Sequence, residues 1–351
     1  MTRYRIGVTG SGFMGRTHVD AAHKLDEAEP VAVTGGSRAA QLAADYGIDA
    51  EPDLETLLRR DDIDAVVIAT PHWRHCEEAL AAAEAGKHVL VEKPMATSLE
   101  DCDRMIEAFE RRGLTLSVGY HQRFRESNRK AAELLRSGAI GAVHCIQMSA
   151  LFDITKLRGD EGFGGAWSWW TDPRSLAHLI NSGPHNIDLC RWWMQSELTS
   201  VAAQCDTFRE ENPNENTTMA LLRFANGAMS TFWSSSVVPH PCFPGEEFRF
   251  RMMGERGILD LDPYDKLQLG ANDAMEVVHQ QPPVGHEESS SAFAWPRMRA
   301  YCDQMQAFLN TIAGQPGEQG TARDGRAGVE AVLAMLASAE QQTMVNLPVN
   351  R

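Results

Sequence analysis

The sequence predicts an α/β protein: an N-terminal doubly wound parallel sheet, then a C-terminal α/β domain with an open, mostly antiparallel sheet. Three observations carry this. Strand and helix patterns alternate through the first 120 residues. After about residue 142, strand candidates follow one another instead. A G-x-G-x-x-G pattern, "GSGFMG", lies between the first strand and the first helix. Repeated strand–helix units imply parallel strands with right-handed crossovers, whereas consecutive strands favour antiparallel pairing.

Taken in order, "YRIGVT" is a short apolar strand and residues 15 to 27 read as a helix. "EPVAVT" is a second strand, "RAAQLAADYG" a helix closed by Gly47, and "LETLLRR" a short helix. "DIDAVVIAT" lacks polar alternation, as a strand buried on both faces should. "CEEALAAAEAG" is a helix ending at Gly86; "HVLVEKP", "LEDCDRMIEAFERRG" and "LTLSVGY" add a strand, a helix and a strand. The later strands are "VHCIQMSAL", "SVAAQCDTF", "TTMALLRF", "AMSTFWSSS", "EFRFRMM", "ILDL" and "KLQLG", with Asn226-Gly227 and "GERG" as turn signals. "SLAHLINSGPHNIDLCRWWM" interrupts them and reads in part as a helix. Residues 280 to 297 read as a loop. Two helices close the chain, the first with Tyr301, Met305, Phe308, Leu309 and Ile312 on one face, the second opened by the capping-box pattern Thr321-x-x-Asp324. The expected domains are residues 1–122 and 123–351, the closing helices being free to pack back on the first.

At 43% hydrophobic and 23% charged over 351 residues, the chain has material for a real core, which excludes global disorder. A net charge of −15 argues against nucleic acid or anionic membrane as the main partner. The seven cysteines (76, 102, 145, 190, 205, 242, 302) form no C-x-x-C, so reduced thiols are expected and no metal. With "MTRYR" passing straight into a strand and no apolar run of membrane length, the expectation is a cytoplasmic protein.

The chemistry begins at the glycine turn. Gly10 permits the tight turn, Gly12 clears the approach of a pyrophosphate, and Gly15 lets the helix pack close to the strand. The helix N-terminus then offers N–H groups and a positive dipole end to the phosphates. An acid that would bind the ribose of NAD should follow the second strand. No acid occurs between Glu29 and Asp45, and Gly35, Gly36, Ser37 and Arg38 stand there instead. Arg and Ser can bind a 2′-phosphate that a carboxylate would repel, so NADP is favoured over NAD, although Arg38 stacked on adenine would serve either. In "VEKP", Glu92-Lys93-Pro94 end a parallel strand, the edge at which such sheets bind ligands. Lys93 there reads either as a group that holds substrate hydroxyls and relays a proton or as a surface charge. In "NSGPHNID", Asn181, His185 and Asp188 share one segment, with a carboxylate three residues after the imidazole and able to orient it. Alone, His185 reads equally as a structural histidine.

Together "GSGFMGRTH", "IDAVVIATPHWRH", "AAEAGKHVLVEKP", "VGYHQRF", "NSGPHNIDLCRWW", "FANGA" and "DGRAGVEAVLAMLASA" resemble, in order and over nearly the whole chain, the glucose–fructose oxidoreductase / inositol dehydrogenase / rhizopine catabolism (Gfo/Idh/MocA) family. The resemblance implies a Rossmann domain followed by an α/β domain whose open sheet forms an oligomer interface, here a homodimer or homotetramer. It implies oxidation of a secondary alcohol of a sugar, glycoside or cyclitol, or reduction of the ketone, with NAD or NADP. The implied catalytic residues are Lys93, His185 and Asn181, the last standing where the family usually has Asp. The implied cofactor contacts are Gly10, Gly12, Phe13, Met14, Gly15, Ser37, Arg38, Thr70, Pro71, His72, His75, Glu92 and Lys93. His72 stands where Asn is usual, as a cofactor contact or a helix-entry residue, and His75 reads as more structural than chemical. Lys93, Tyr120, His121, Arg123, Asn181 and His185 are implied for substrate. Trp167 and Trp170, within "GAWSWWTDP", would stack on a sugar face or form a lid or oligomer contact. Lys156, Arg158, Arg174 and His178 around this stretch read as an anion-binding group or as solvated charges.

Three activities follow. The first is NAD(P)-dependent hydride transfer to or from a carbinol carbon. The second is cleavage of a glycoside through transient oxidation by a retained cofactor, which Asn181 in place of a carboxylate keeps open. The third is a non-catalytic sugar or nucleotide sensor, against which Lys93 and His185 argue.

Overall fold

The computed structural model describes residues 3–153, 172–176, 178–208, 215–281 and 295–348. Trp167, Trp169, Trp170, Lys156 and Arg158, and most of the loop at 280–297, lie outside the described residues. The chain divides into two compact units, residues 1–124 with 289–327, and residues 125–288 with 328–351.

In the first unit, β1 (Tyr4–Thr9), β2 (Ala28–Thr34), β3 (Asp49–Glu51), β4 (Ala65–Ile68), β5 (His88–Val91) and β6 (Leu116–Val118) are parallel. The strand order is β6-β5-β4-β1-β2-β3, with β15 (Gly320–Thr321) antiparallel on the β6 edge. This is the doubly wound order, and the crevice where it reverses, beside β1, is the ligand edge of such sheets. Helices α1 (Phe13–His23), α2 (Ala39–Tyr46), α3 (Leu54–Leu58), α4 (His75–Glu84) and α5 (Leu99–Arg112) connect the strands. Their ends follow from residue type: Gly47 and Gly113 close α2 and α5 at φ 66° and 65°, and Ser98 Oγ caps α5 by accepting from Asp101 N.

One core cluster joins Ile6, Val8, Ala65, Val67 and Leu90 of the sheet to Val19 and Ala22 of α1. Met305, Phe308 and Leu309, from a helix near the end of the chain, complete it. Each Val, Ile, Leu, Met or Phe of this cluster contributes about 1.5–3 kcal/mol on burial, and each Ala less.

The second unit carries α6 (Glu126–Arg136), α7 (His178–Met194) and a nine-stranded sheet. Its strands are β7 (Val143–Leu151), β8 (Leu198–Asp206), β9 (Thr217–Phe224), β10 (Met229–Ser235), β11 (Arg249–Gly254), β12 (Ile258–Leu261), β13 (Lys266–Ala271), β14 (Ala274–Gln280) and β16 (Val345–Asn346), in the order β14-β13-β12-β11-β7-β10-β9-β8-β16. All neighbours are antiparallel except β7 and β10, so the sheet is mostly antiparallel, as the sequence predicts. Asn226-Gly227 turns β9 into β10, with Gly227 at φ 89°. Helix α7 packs on one face, where Trp193 meets Phe250 edge-on at 4.9 Å. Along β9 and β10 the alternate residues Met219, Leu221, Met229 and Trp233 are exposed on the other face.

The closing helices are α8 (Trp295–Ile312) and α9 (Ala322–Gln341). The capping box at α9 is complete: Asp324 N donates to Thr321 Oγ1 (3.1 Å) and Thr321 N to Asp324 Oδ2 (3.0 Å). Five elements exceed the sequence expectation: the short strands β3, β15 and β16, helix α6 and strand β14. Helix α6 buries Ser127, Asn128, Ala131 and Ala132, too polar and small a face to register as apolar periodicity. Strand β14 is an exposed edge with no buried alternation. Among the described residues, no helix is long and apolar enough to cross a membrane.

Candidate functional site

The ends of the parallel strands are stitched together by main-chain hydrogen bonds. Gly10 N donates to Thr34 O, Ala69 N to Thr9 O, Glu92 N to Ile68 O and Gly119 N to Val91 O, all at 2.8–2.9 Å. This row brings together the glycine turn, the "GGSR" loop, Thr70-Pro71, Glu92-Lys93 and the "VGYHQRF" segment.

The three glycines of the turn are required for different reasons. Gly10 sits at φ 98°, and a Cβ there would lie 2.4 Å from Ala69 O. A Cβ at Gly15 would lie 1.7 Å from Gly10 O, which fixes how closely α1 approaches the strand turn. A Cβ at Gly12 would meet nothing within 4 Å, so this residue borders open space at the N-cap of α1, where no side chain caps the helix. An uncapped helix N-terminus behind a glycine that faces open space fits a dinucleotide pyrophosphate. Phe13 and Met14 follow in the first turn, half-buried.

Ser11, unremarked in the sequence, fixes the second loop: its Oγ accepts from Arg38 N at 3.2 Å and lies 2.7 Å from where a Gly36 Cβ would be. Ser37 and Arg38 are exposed at the start of α2.

At the ends of β1 and β4, Glu78 of α4 accepts from Thr9 Oγ1 (3.2 Å) and Thr70 Oγ1 (2.9 Å). His75 is enclosed, with Nε2 at 2.8 Å from Thr70 O and Nδ1 at 2.9 Å from Pro94 O. Its ring joins the Thr70-Pro71 turn to the loop after β5. Burial pushes its pKa down, and the two carbonyl contacts oppose that. His72 lies in the 3₁₀ turn His72–Arg74 that enters α4, 3% exposed and edge-on to Trp73 and His75.

Lys93 follows β5, half-buried, and its peptide bond to Pro94 is cis. Burial lowers its pKa and Glu92 raises it, with a net lowering. Glu92 is 6% exposed. Burial alone would raise its carboxyl, but His18, Lys93 and His75 outweigh that and hold it below the ordinary range. His18, three residues beyond Gly15, lies 2.8 Å from Glu92 Oε1 through Nε2. It escaped the sequence reading, although "GRTH" contains it.

Tyr120 is wholly buried, its ring against Gly320 and 5.9 Å from the Arg123 guanidinium. Arg123 is ion-paired with Asp324 at 3.2 Å. His121 stacks on Tyr301 of α8 at 4.4 Å, and its Nε2 lies 3.3 Å from the Tyr301 hydroxyl. Gln304 accepts from the backbone N–H of Tyr120 and of His121 through its amide oxygen. Tyr120 is 0% and Arg123 5% exposed, and these contacts hold both in place.

In the second unit, Asn181, His185 and Asp188 all lie on α7, each less than a tenth exposed. Asn181 Nδ2 donates to Ser175 O at 3.4 Å. Gly183 is small because a Cβ there would lie 3.0 Å from Val332. His178 is the other buried histidine of this helix; its Nε2 meets Ser234 Oγ at 2.7 Å, and burial pushes its pKa down to about 3. It is an interior residue and not a solvated charge. Arg174 is exposed and paired with Asp172 at 2.6 Å.

Residues 4–120 match the model of an oxidoreductase family with an NAD-binding Rossmann fold, GFO_IDH_MocA, and residues 128–260 match the GFO/IDH/MocA C-terminal domain. The chain is 33% identical over 204 residues to inositol 2-dehydrogenase 3 of Saccharopolyspora erythraea, covering 56% of this chain and 55% of that one. It thus spans little more than half the length of that relative. It is 35% identical over 267 residues to 2,7-anhydro-N-acetylneuraminate hydratase of Mediterraneibacter gnavus, covering 74% of this chain and 67% of that one. A solved oxidoreductase from Agrobacterium radiobacter, in complex with NAD+, L-tartaric acid and magnesium, shares the fold with a TM-score of 0.86 at 19% identity, each chain covered to 98%.

Proposed function

The chain belongs to the GFO/IDH/MocA oxidoreductase family, and from that premise we propose that it moves a hydride between a nicotinamide dinucleotide and a secondary alcohol or ketone of a sugar, glycoside or cyclitol. The observation that carries this is the strand-end row, in which Gly12 borders open space at an uncapped helix N-terminus while Lys93 stands at the end of β5, two strands along the same edge. The relative named an inositol dehydrogenase supports the cyclitol class.

The N–H groups of the first turn of α1 would hold the pyrophosphate, with Thr70, Pro71 and His72 in the turn beside it. A bound nicotinamide would supply the hydride acceptor or donor. Lys93 steadies the negative charge that develops on the substrate oxygen, and His185 takes or returns the hydroxyl proton, a task suited to imidazole at neutral pH. Asn181 hydrogen-bonds substrate and does not titrate.

NADP is favoured over NAD, on the exposed Ser37 and Arg38 and the lack of an acid after β2. Identifying by mass the dinucleotide that co-purifies tests this, and Arg38→Asp is expected to weaken NADP binding more than NAD binding. We place the protein in the cytoplasm and assign its exposed apolar sheet face to a homodimer or homotetramer.

A second reading, redox-neutral chemistry on a glycoside with a retained cofactor, is favoured by Asn181 and by the relative named a hydratase. The assay that separates the two follows dinucleotide reduction and substrate loss together across a panel of polyols and glycosides.

A further inference from the structure

Glu78 stands outside every motif read in the sequence, yet it is 3% exposed and serves the place where the sheet order reverses. The reversal lies between β1 and β4, and the turns that leave these two strands touch there. Ala69 N donates to Thr9 O at 2.8 Å, and a Cβ on Gly10 would stand 3.0 Å from Thr70 N. Thr9 is the last residue of β1, immediately before the glycine turn. Thr70 lies in the turn that follows β4.

Glu78 reaches both. It sits in the first turn of α4, the end of a helix that favours an acid. Its Oε2 accepts from Thr9 Oγ1 at 3.2 Å and from Thr70 Oγ1 at 2.9 Å. Its Oε1 is ion-paired with Arg74 Nε at 2.8 Å. Enclosing a carboxylate is costly, and an exposed arginine returns little of that cost. An apolar side chain of the same size would fill the space with less penalty. What it could not do is hold two hydroxyls, one from each side of the reversal, to a single oxygen.

We propose that Glu78 is a positioning residue for the dinucleotide: by tying Thr9 and Thr70 to one oxygen it fixes the gap between the glycine turn and the Thr70-Pro71 turn, the two sides of the crevice that takes the cofactor. This rests on the dinucleotide reading above and adds a residue to it. Glu78 acts through the two threonines. A small shift of one turn against the other misplaces the N–H groups of α1 relative to Thr70 and Pro71, and binding geometry of this kind is sensitive to shifts well under the length of a bond to hydrogen.

The test reads binding directly, by calorimetric titration of the purified protein with NAD and with NADP, beside thermal melting. Glu78→Leu, which fills the space and accepts nothing, is expected to weaken the tighter-bound dinucleotide about tenfold or more. Its melting temperature is expected to hold or rise, because no carboxylate is left to bury. A residue that only supports the fold would lose both together. Thr9→Val removes one donor and is expected to weaken binding in the same direction, whereas Thr9→Ser, which keeps the hydroxyl, retains the affinity of the unmodified protein. The double variant Thr9→Val/Glu78→Leu is expected to bind no more weakly than Glu78→Leu, since both changes remove the same bridge. In turnover, KM for the dinucleotide rises while kcat at saturation changes by less than about twofold. Unchanged affinity in Glu78→Leu overturns the proposal, and so does a loss of affinity matched by a loss of melting temperature, or losses that add in the double variant. Should Glu78→Leu not fold, Thr9→Val against Thr9→Ser decides, and equal affinities overturn the proposal. If the unmodified protein binds neither NAD nor NADP, the dinucleotide reading falls and this inference with it. If it binds one of them and Glu78→Leu binds it equally well, only this inference falls.

Discussion

Lys93 and His185 carry the heaviest chemical assignments, and each has a direct consequence. Replacing either with Ala is expected to lower kcat by about 10²–10⁴-fold while the dinucleotide still binds, checked by steady-state kinetics beside a binding titration. His178 makes a separate prediction about stability. Its folded pKa, near 3, lies below the ordinary histidine value of 6.5, so below 6.5 the unfolded chain takes up a proton that the folded one refuses. Stability is fully present above about pH 6.5 and is lost as pH falls toward 3. His178→Gln is expected to flatten that acid limb in urea melts at pH 7 and pH 4.5, even if it lowers stability at pH 7. At this scale the sequence was readable where the backbone leaves one choice of residue. Gly10 and Gly15 are forced by oxygens 2.4 and 1.7 Å from a Cβ, and their spacing announces it. His18 and Glu92 are 74 residues apart, and nothing local to either marks the pair. The same holds for Tyr301 and His121, 180 residues apart.

Single elements show which local patterns survive folding. The α1 turn is set by close backbone approach, so Gly15→Ala is expected to abolish dinucleotide binding or to unfold the first unit, as seen by calorimetric titration and thermal melting. The capping box of α9 was legible because Thr321 and Asp324 satisfy each other's backbone within one turn; Thr321→Ala is expected to cost about 0.5–2 kcal/mol in denaturant melts. Helix α6 and strand β14 were not legible, one burying small polar residues and the other almost nothing. Helix α8 shows the opposite case. Its predicted stripe, Met305, Phe308 and Leu309, is in the core, but only the fold reveals that it completes the cluster built by β1, β4 and α1.

Across the whole chain, the change from alternating to consecutive strands near residue 142 was enough to give two sheets of different kinds, because strand period and connection length are both local signals. Met219, Leu221, Met229 and Trp233 form an exposed apolar row on one sheet face, the surface we assign to self-association. Paired lysine substitutions at Leu221 and Trp233 are expected to convert a dimer or tetramer to monomer in sedimentation equilibrium while the secondary structure is retained. Net hydride transfer requires that the dinucleotide be reduced in step with substrate. The measurement is simultaneous quantification of NAD(P)H formed and polyol or glycoside consumed by the purified protein. Hydride transfer predicts equal amounts of the two, with the signal lost in Lys93→Ala. Consumption of a glycoside with no net NAD(P)H, or binding of both ligands with no turnover, would contradict it.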